Sequence, residues 1–491
     1  MEWTRKQRYR KIEDISKDAY EVLEKKVYNC KYRQKFHIQP KTGLLNDPNG
    51  FSFYNGEYHL FYQWFPLGPV HGLKYWYHVS SKDLVNWEDK GIGIKPTKYF
   101  ESHGAFSGSG IVNNDELYLF YTGNTRDENW IRHPYQCLAI MNKQGEIRKL
   151  DNPIICKPEG YKEHFRDPKV LKYNGKYYCL IGAQDKNNLG TIVYYESEDL
   201  LNWKFKKELY TRFKGNGFMW ECPDYFELKD KGILILSVQG LEANRDRFKN
   251  GDNSGYLVGN KINFEDGIFN HGDFEELDRG FDFYAPQTME DENGRRILIG
   301  WCGLPGVDCV TEESGWAHNM TLPRVITIKN NKLYQAPLKE LEILRKNERS
   351  INTTLNNEEK EFEGFNGDTY ELICNFKNIT GRYVGLKFRK GIGQETIFYY
   401  DLKEKKVVLN REKSGQPTVL EFGTVRRCNM DGKELKFQMF VDISMVEIFI
   451  NHGQEVFTAR IYPDKESTGI SFFSDKSSEL EAKIWDLKSE K

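Results

Sequence analysis

Three carboxylates stand out by their settings. Asp47 lies in Asn46-Asp47-Pro48-Asn49-Gly50, Asp167 in Phe165-Arg166-Asp167-Pro168, and Glu221 in Trp220-Glu221-Cys222-Pro223. Two carboxylic groups flanking a glycosidic bond suffice to hydrolyse it. One attacks or activates water, and the other protonates the leaving oxygen. A third can hold ring hydroxyls and stabilise oxocarbenium-like charge. By residue type Glu221 suits the acid, because its apolar neighbours favour the protonated form. Asp47 suits the nucleophile, on a turn stiffened by Pro48 and eased by Asn49-Gly50. Asp167, beside Arg166, is expected to stay ionised and accept hydroxyl hydrogen bonds.

Any one of these motifs alone would pass for a surface turn, but the chain repeats the unit around it. After Asp47 come two β-rich segments joined at Asn55-Gly56, a strong hairpin signal. The same order recurs at Phe106–Gly123, Phe165–Gly182, Trp220–Ser237 and Asp282–Trp301, with turn residues at Asn113–Asp115, Asn174-Gly175, Lys231-Gly232 and Asn293-Gly294. A second marker, Ser81-Lys82-Asp83-Leu84-Val85-Asn86-Trp87, returns as Ser197–Trp203, two units later. Five copies at this period, with about four strands each, predict a five-bladed β-propeller. In a propeller the unit starts converge on the central channel, so Asp47, Asp167 and Glu221 would meet there with Ser107 and Tyr284. Three unpaired buried carboxylates are costly to fold, which makes a purely structural role a weak account.

The remainder bounds the class. A chain of 491 residues exceeds one ordinary core. Apolar residues at helical spacing over 11–29 predict one amphipathic helix. Short strands between Thr369 and Ile461, among them Leu435–Ile450 with Phe440–Ile450 as a core strand, predict a C-terminal β-sandwich. The expected layout is all-β: a helical extension (1–30), a catalytic propeller (31–330), a Lys/Glu/Leu linker (331–355) and a sandwich (356–491). A net charge of −1 with dispersed charges excludes a nucleic-acid or membrane-surface partner. No apolar h-region or long apolar span is present, and the nine scattered cysteines fit reduced thiols, so a cytoplasmic location is expected. The His and Cys residues show no metal-ligand spacing, and neither metal nor cofactor is expected.

Together the four blocks at Asn46–Gly50, Phe106–Ser109, Phe165–Pro168 and Trp220–Pro223 resemble the signature blocks of glycoside hydrolase family 32, and the likeness runs on to Val441–Gly453. The resemblance implies a propeller plus sandwich and a retaining mechanism, with Asp47 as nucleophile, Asp167 as transition-state stabiliser and Glu221 as acid/base. It implies a fructosyl pocket shaped by Leu44, Leu45, Asn46, Gln63, His71, Phe106, Ser107, Arg166, Tyr284 and Trp301. His71 stands where many members carry Trp, and Ala317-His318-Asn319 replaces smaller residues; both are expected near the leaving group. The implied substrates are small sugars, sucrose or sucrose 6-phosphate. For a phosphate the chain offers His71, Lys74, Arg126, Arg132 and His133. A fructan hydrolase or fructosyltransferase on the same scaffold, a non-catalytic sugar-binding propeller, and an inverting arabinan-cleaving enzyme are the competing readings.

Overall fold

The computed structural model describes residues 3–418 and 420–488. Five antiparallel sheets form the blades of a propeller, each built outward from a first strand: Gly43–Tyr54, Ala105–Asn113, Tyr161–Tyr173, Met219–Leu228 and Tyr284–Glu290. These first strands contact one another around a ring. The turn chemistry explains the first hairpins. Asn55-Gly56, Asn114-Asp115 and Asn174-Gly175 all take positive φ at both positions, the twist that two-residue hairpins need. In the fourth blade the turn falls at Lys229 and Asp230, so the expected Lys231-Gly232 is already inside the second strand, Lys231–Gln239. The repeated Ser-x-Asp motif closes the same turn twice. The Ser hydroxyl accepts from the N–H of Leu84 or Leu200, and Asp83 or Asp199 accepts from the next two backbone N–H groups and the Asn amide.

Each seam between neighbouring blades is its own apolar cluster. Phe61, Trp76 and Tyr121 fill the first seam, Phe120, Leu138 and Ile181 the second. The ring is closed by Trp316–Ala317, which pairs parallel to Gly43-Leu44 of the first blade. Gly43 is needed there: its φ is +68°, and an added Cβ would lie 1.9 Å from the Phe65 carbonyl oxygen.

The sandwich is one ten-stranded sheet curled over a core that includes Tyr370, Leu386, Phe398, Phe437 and Ile484. Three expectations are corrected. The stretch 331–355 is not a linker: Lys332–Pro337 is the outer strand of the fifth blade, and Arg345–Asn366 is a long strand paired with Gly469–Leu487. Leu435–Ile450 is a hairpin, because Ile443 turns to φ +28° between Leu435–Asp442 and Met445–Ile450. The N-terminal helix spans only Lys17–Tyr28, since Ser16 accepts from the Ala19 N–H and caps it. Two shorter helical turns precede it.

Propeller and sandwich meet across buried charges. Arg324, fully buried, pairs with Asp278 of the propeller at 3.1 Å and Glu447 of the sandwich at 2.7 Å. His37 lies between Asp442 (2.8 Å) and Glu447 (3.2 Å). Burial pulls its pKa down, but the bonds to those two carboxylates outweigh it and raise it to about 9. A histidine raised on folding stabilises fully below its unfolded pKa of about 6.5 and loses that contribution as pH climbs through 9. His37→Gln should therefore cost about 3 kcal/mol at pH 6.5, as when one member of a buried ion pair is removed. By pH 9.5 the gap to wild type should shrink; a gap in guanidinium unfolding that ignores pH would show that His37 is held neutral.

Candidate active site

The first strand of every blade is broken at the same level. Pairing with the second strand slips between Leu45 and Pro48, Phe106 and Gly108, Arg166 and Lys169, Glu221 and Asp224, and Tyr284 and Gln287. A bulge bends its strand and re-aims a side chain. Here five bulges turn Asp47, Ser107, Asp167, Glu221 or its neighbour Cys222, and Tyr284 or Ala285 toward the channel. Asp167 (φ +66°), Cys222 (+47°) and Ala285 (+45°) sit in the left-handed region, a strain residues other than glycine accept only where surroundings enforce it. Bonds between first strands do the enforcing. Asn49 Oδ1 accepts from the Gly108 N–H, Ser109 accepts from the Val170 N–H, and Asp224 accepts from the Thr288 N–H while pairing with Lys169 at 2.9 Å.

Asp47, Asp167 and Glu221 share one cavity of about 330 Å³, lined also by Asn46, Gln63, His71, Phe106, Arg166, Tyr284 and Trp301. Asp47 is fixed from both oxygens: Oδ2 accepts from Ser107 Oγ at 2.5 Å and Gln63 Nε2 at 3.1 Å, and Oδ1 from Asn46 at 3.0 Å. Burial raises its pKa, the Ser107 bond lowers it and the Glu221 charge raises it again. Glu221 accepts from Arg166 at 2.8 and 3.0 Å on one oxygen and from the Tyr284 hydroxyl at 2.7 Å on the other. Arg166 is thus committed to Glu221 and stands 3.9 Å from Asp167. That corrects the expectation for Asp167. Burial pushes it up to about 7 against the pull of Arg166, with Glu221 and Asp47 adding to the rise. Its Oδ2 accepts from the Cys222 N–H at 3.0 Å.

Ser107 is not in the lining of this cavity and acts on it through its bond to Asp47. Leu44 and Leu45 do not line the cavity: Leu44 packs with Val27 and Trp316, and Leu45 joins the apolar seam between the fifth and first blades. His318 is buried against Trp301 and faces the Leu45 carbonyl, so it underlies the pocket wall. Of the five basic residues considered for a phosphate, His71, Lys74 and Arg132 line the cavity. Arg126 stacks on Trp130, and exposed His133 pairs with Asp127. Lys74 donates to Asn46 Oδ1 at 2.6 Å, and burial pushes its pKa down to about 7 against the pull of Asp47. Arg132 is mostly buried at the rim, and burial beside Arg166 and Arg126 lowers it to about 10. Among the described residues no carboxylate lies within ion-pair distance of it. Sequence reasoning missed Tyr9, His164 and Gln239 in the lining. His164 accepts from Arg166 at 2.8 Å, and only spacing two residues before the Arg166-Asp167 pair could have flagged it.

Three carboxylates brought from separate blades over one small cavity are the groups that hydrolysis of a glycosidic bond requires. The chain belongs to glycoside hydrolase family 32: the family's N-terminal domain profile matches residues 37–337 and its C-terminal profile residues 340–486. It is 46% identical over 471 residues to a sucrose-6-phosphate hydrolase of Staphylococcus xylosus, covering 96% of this chain and 95% of that one. The structure of a sucrose-6-phosphate hydrolase from Lactobacillus gasseri aligns over 99% of this chain and 100% of its own, with TM-score 0.93 and 37% identity. A β-fructofuranosidase of Bombyx mori aligns over 96% and 99%, with TM-score 0.82 and 34% identity.

Proposed function

We propose that the protein hydrolyses the β-fructofuranosyl bond of sucrose 6-phosphate, and of sucrose less well, by a retaining double displacement. In the first step Asp47 attacks the anomeric carbon of the fructosyl ring. The bond to the glucosyl oxygen breaks, and that oxygen takes a proton from Glu221. In the second step water gives its proton to Glu221 and its oxygen to the anomeric carbon, which frees Asp47. Asp167 accepts hydrogen bonds from ring hydroxyls. The three acids face three cations across this cavity, Arg166, Lys74 and Arg132, and burial with the Glu221 and Asp47 charges holds Asp167 up at about 7 against the pull of Arg166.

The observation that carries the choice of substrate is Arg132, a rim guanidinium without an acidic partner and flanked by other cations. A leaving group bearing a phosphate would complete that charge. One charge-assisted hydrogen bond is worth about 1.5–3 kcal/mol. Sucrose 6-phosphate should accordingly exceed sucrose in kcat/KM by about ten- to a hundredfold. Arg132→Leu should remove most of that preference with a far smaller effect on sucrose. Equal kcat/KM for the two sugars in the wild type would remove the phosphate reading and leave the fructosidase reading standing.

A further inference from the structure

The family profile begins at residue 37, yet the segment 3–15 is built into the mouth of the cavity. Its path is specified by the loop it lies on. The Trp3 indole occupies the space above Gly68, where an added Cβ would lie 2.0 Å from the ring. The Arg8 carbonyl sits over Gly72, where an added Cβ would approach to 2.3 Å, and accepts from the Leu73 N–H at 2.7 Å. The Arg8 guanidinium donates to the His71 carbonyl at 3.0 Å, and the Ile12 N–H to the Tyr75 hydroxyl at 3.2 Å. The first blade's loop carrying His71 and Lys74 is therefore held from outside by this segment.

The same segment grips the second blade. Trp130 is at the tip of the hairpin that carries Arg132, with φ +67° for a bulky residue. The Arg5 guanidinium lies 4.3 Å from its ring centroid and Arg126 5.0 Å. Tyr9 meets Trp130 edge-on at 5.4 Å and His103 at 5.0 Å, and its own side chain lines the cavity. Several cation–π and edge-to-face contacts of this kind act together to hold a short strap.

We propose that residues Trp3–Tyr9 are a strap that completes the leaving-group side of the pocket, with Tyr9 as a specificity-determining wall and Trp3 as a positioning anchor. The inference rests on the reading that the carboxylate end of the cavity takes the fructosyl ring. The part of the substrate beyond the scissile bond then meets the rim, where Tyr9 stands between the His71 loop and the Arg132 hairpin. The strap acts on what leaves and not on what is transferred.

The test compares wild type, Tyr9→Ala, Tyr9→Phe and Trp3→Ala on sucrose, sucrose 6-phosphate and methyl β-D-fructofuranoside, whose leaving group is too small to reach the rim. Tyr9→Ala should lose about five- to tenfold more kcat/KM on the two disaccharides than on the methyl fructoside, the worth of one aromatic contact. Tyr9→Phe should keep the wild-type ratio, and Trp3→Ala should show the same bias at smaller size. The readout is a ratio within one protein sample, so partial misfolding cannot imitate it. Equal losses on all three sugars, or none, would overturn the strap as a wall while leaving the reaction intact. A wild type that cleaves none of them would overturn the fructosidase reading beneath it.

Discussion

Asp47→Asn should lower sucrose turnover by more than about 10⁴-fold while leaving the fold intact. The covalent step needs an anionic oxygen at this position, and an amide of the same shape offers none. The surroundings make the experiment clean. Both oxygens are already fixed by Asn46, Gln63 and Ser107, so an asparagine inherits the volume and the rotamer. The Ser107 hydroxyl can rotate to accept from the new amide, and one Gln63 bond is lost, a cost of about 1 kcal/mol. Against this stands relief from burying an anion. Burial raises the Asp47 pKa, so the folded state binds more protons than the unfolded one, and the aspartate's cost to stability appears as pH rises above about 4. The variant should gain on wild type between pH 4 and pH 7. A purified variant with the wild-type circular dichroism spectrum and a tenth of its turnover would refute Asp47 as nucleophile.

The parts of this molecule that were legible in the sequence are those dictated by local chemistry. Asn-Gly turns, the doubled Ser-x-Asp motif and alternating apolar strands are each written in adjacent residues, and their recurrence exposes five blades. The three acids were legible for the same reason: bulge-forming motifs recur at one place in each unit. What was not legible depends on partners far away in the chain. The linker expected over 331–355 takes in only the first half of the strand Arg345–Asn366, whose faces alternate between solvent and half-buried surface, and its pairing with Gly469–Leu487 supplies the order. Asp442, Ile443 and Ser444 carry none of the glycine chemistry of a tight hairpin, so that turn stayed hidden inside an apolar run. The partner of Arg166 was misread because chain adjacency to Asp167 is weaker evidence than a bulge that points the guanidinium at Glu221 in the next blade. Leu44 and Leu45 adjoin the Asp47 motif, yet strand alternation sends them to opposite cores. Tyr9 lies dozens of residues before the first motif, and only the folded chain brings it to the rim.

Glu221→Gln should slow sucrose cleavage by about 10²–10⁴-fold, the usual worth of general acid–base catalysis. The glutamine keeps an oxygen for Arg166 and presents an amide to Tyr284, whose hydroxyl can accept instead of donate, so the side chain should keep its place. What is lost is the proton. The glucose of sucrose leaves as a poor alkoxide and needs that proton at the moment of bond cleavage. An aryl β-D-fructofuranoside with an acidic phenol as leaving group hardly needs it. In kcat/KM, which reports the first step, the variant's loss on the aryl substrate should shrink below about tenfold. The second step still lacks a base, so the fructosyl ester on Asp47 should accumulate: an initial burst of phenol, then slow turnover. Azide, a nucleophile that needs no base, should accelerate that slow phase and yield the β-fructosyl azide, whose retained configuration follows from attack on an ester formed with inversion. An equal loss of kcat/KM on both substrates, with no burst, would assign the acid/base role to another group. A burst without azide rescue would leave Glu221 as the acid but place the base of the second step elsewhere, because a missing base is the one defect that a ready-made anion repairs.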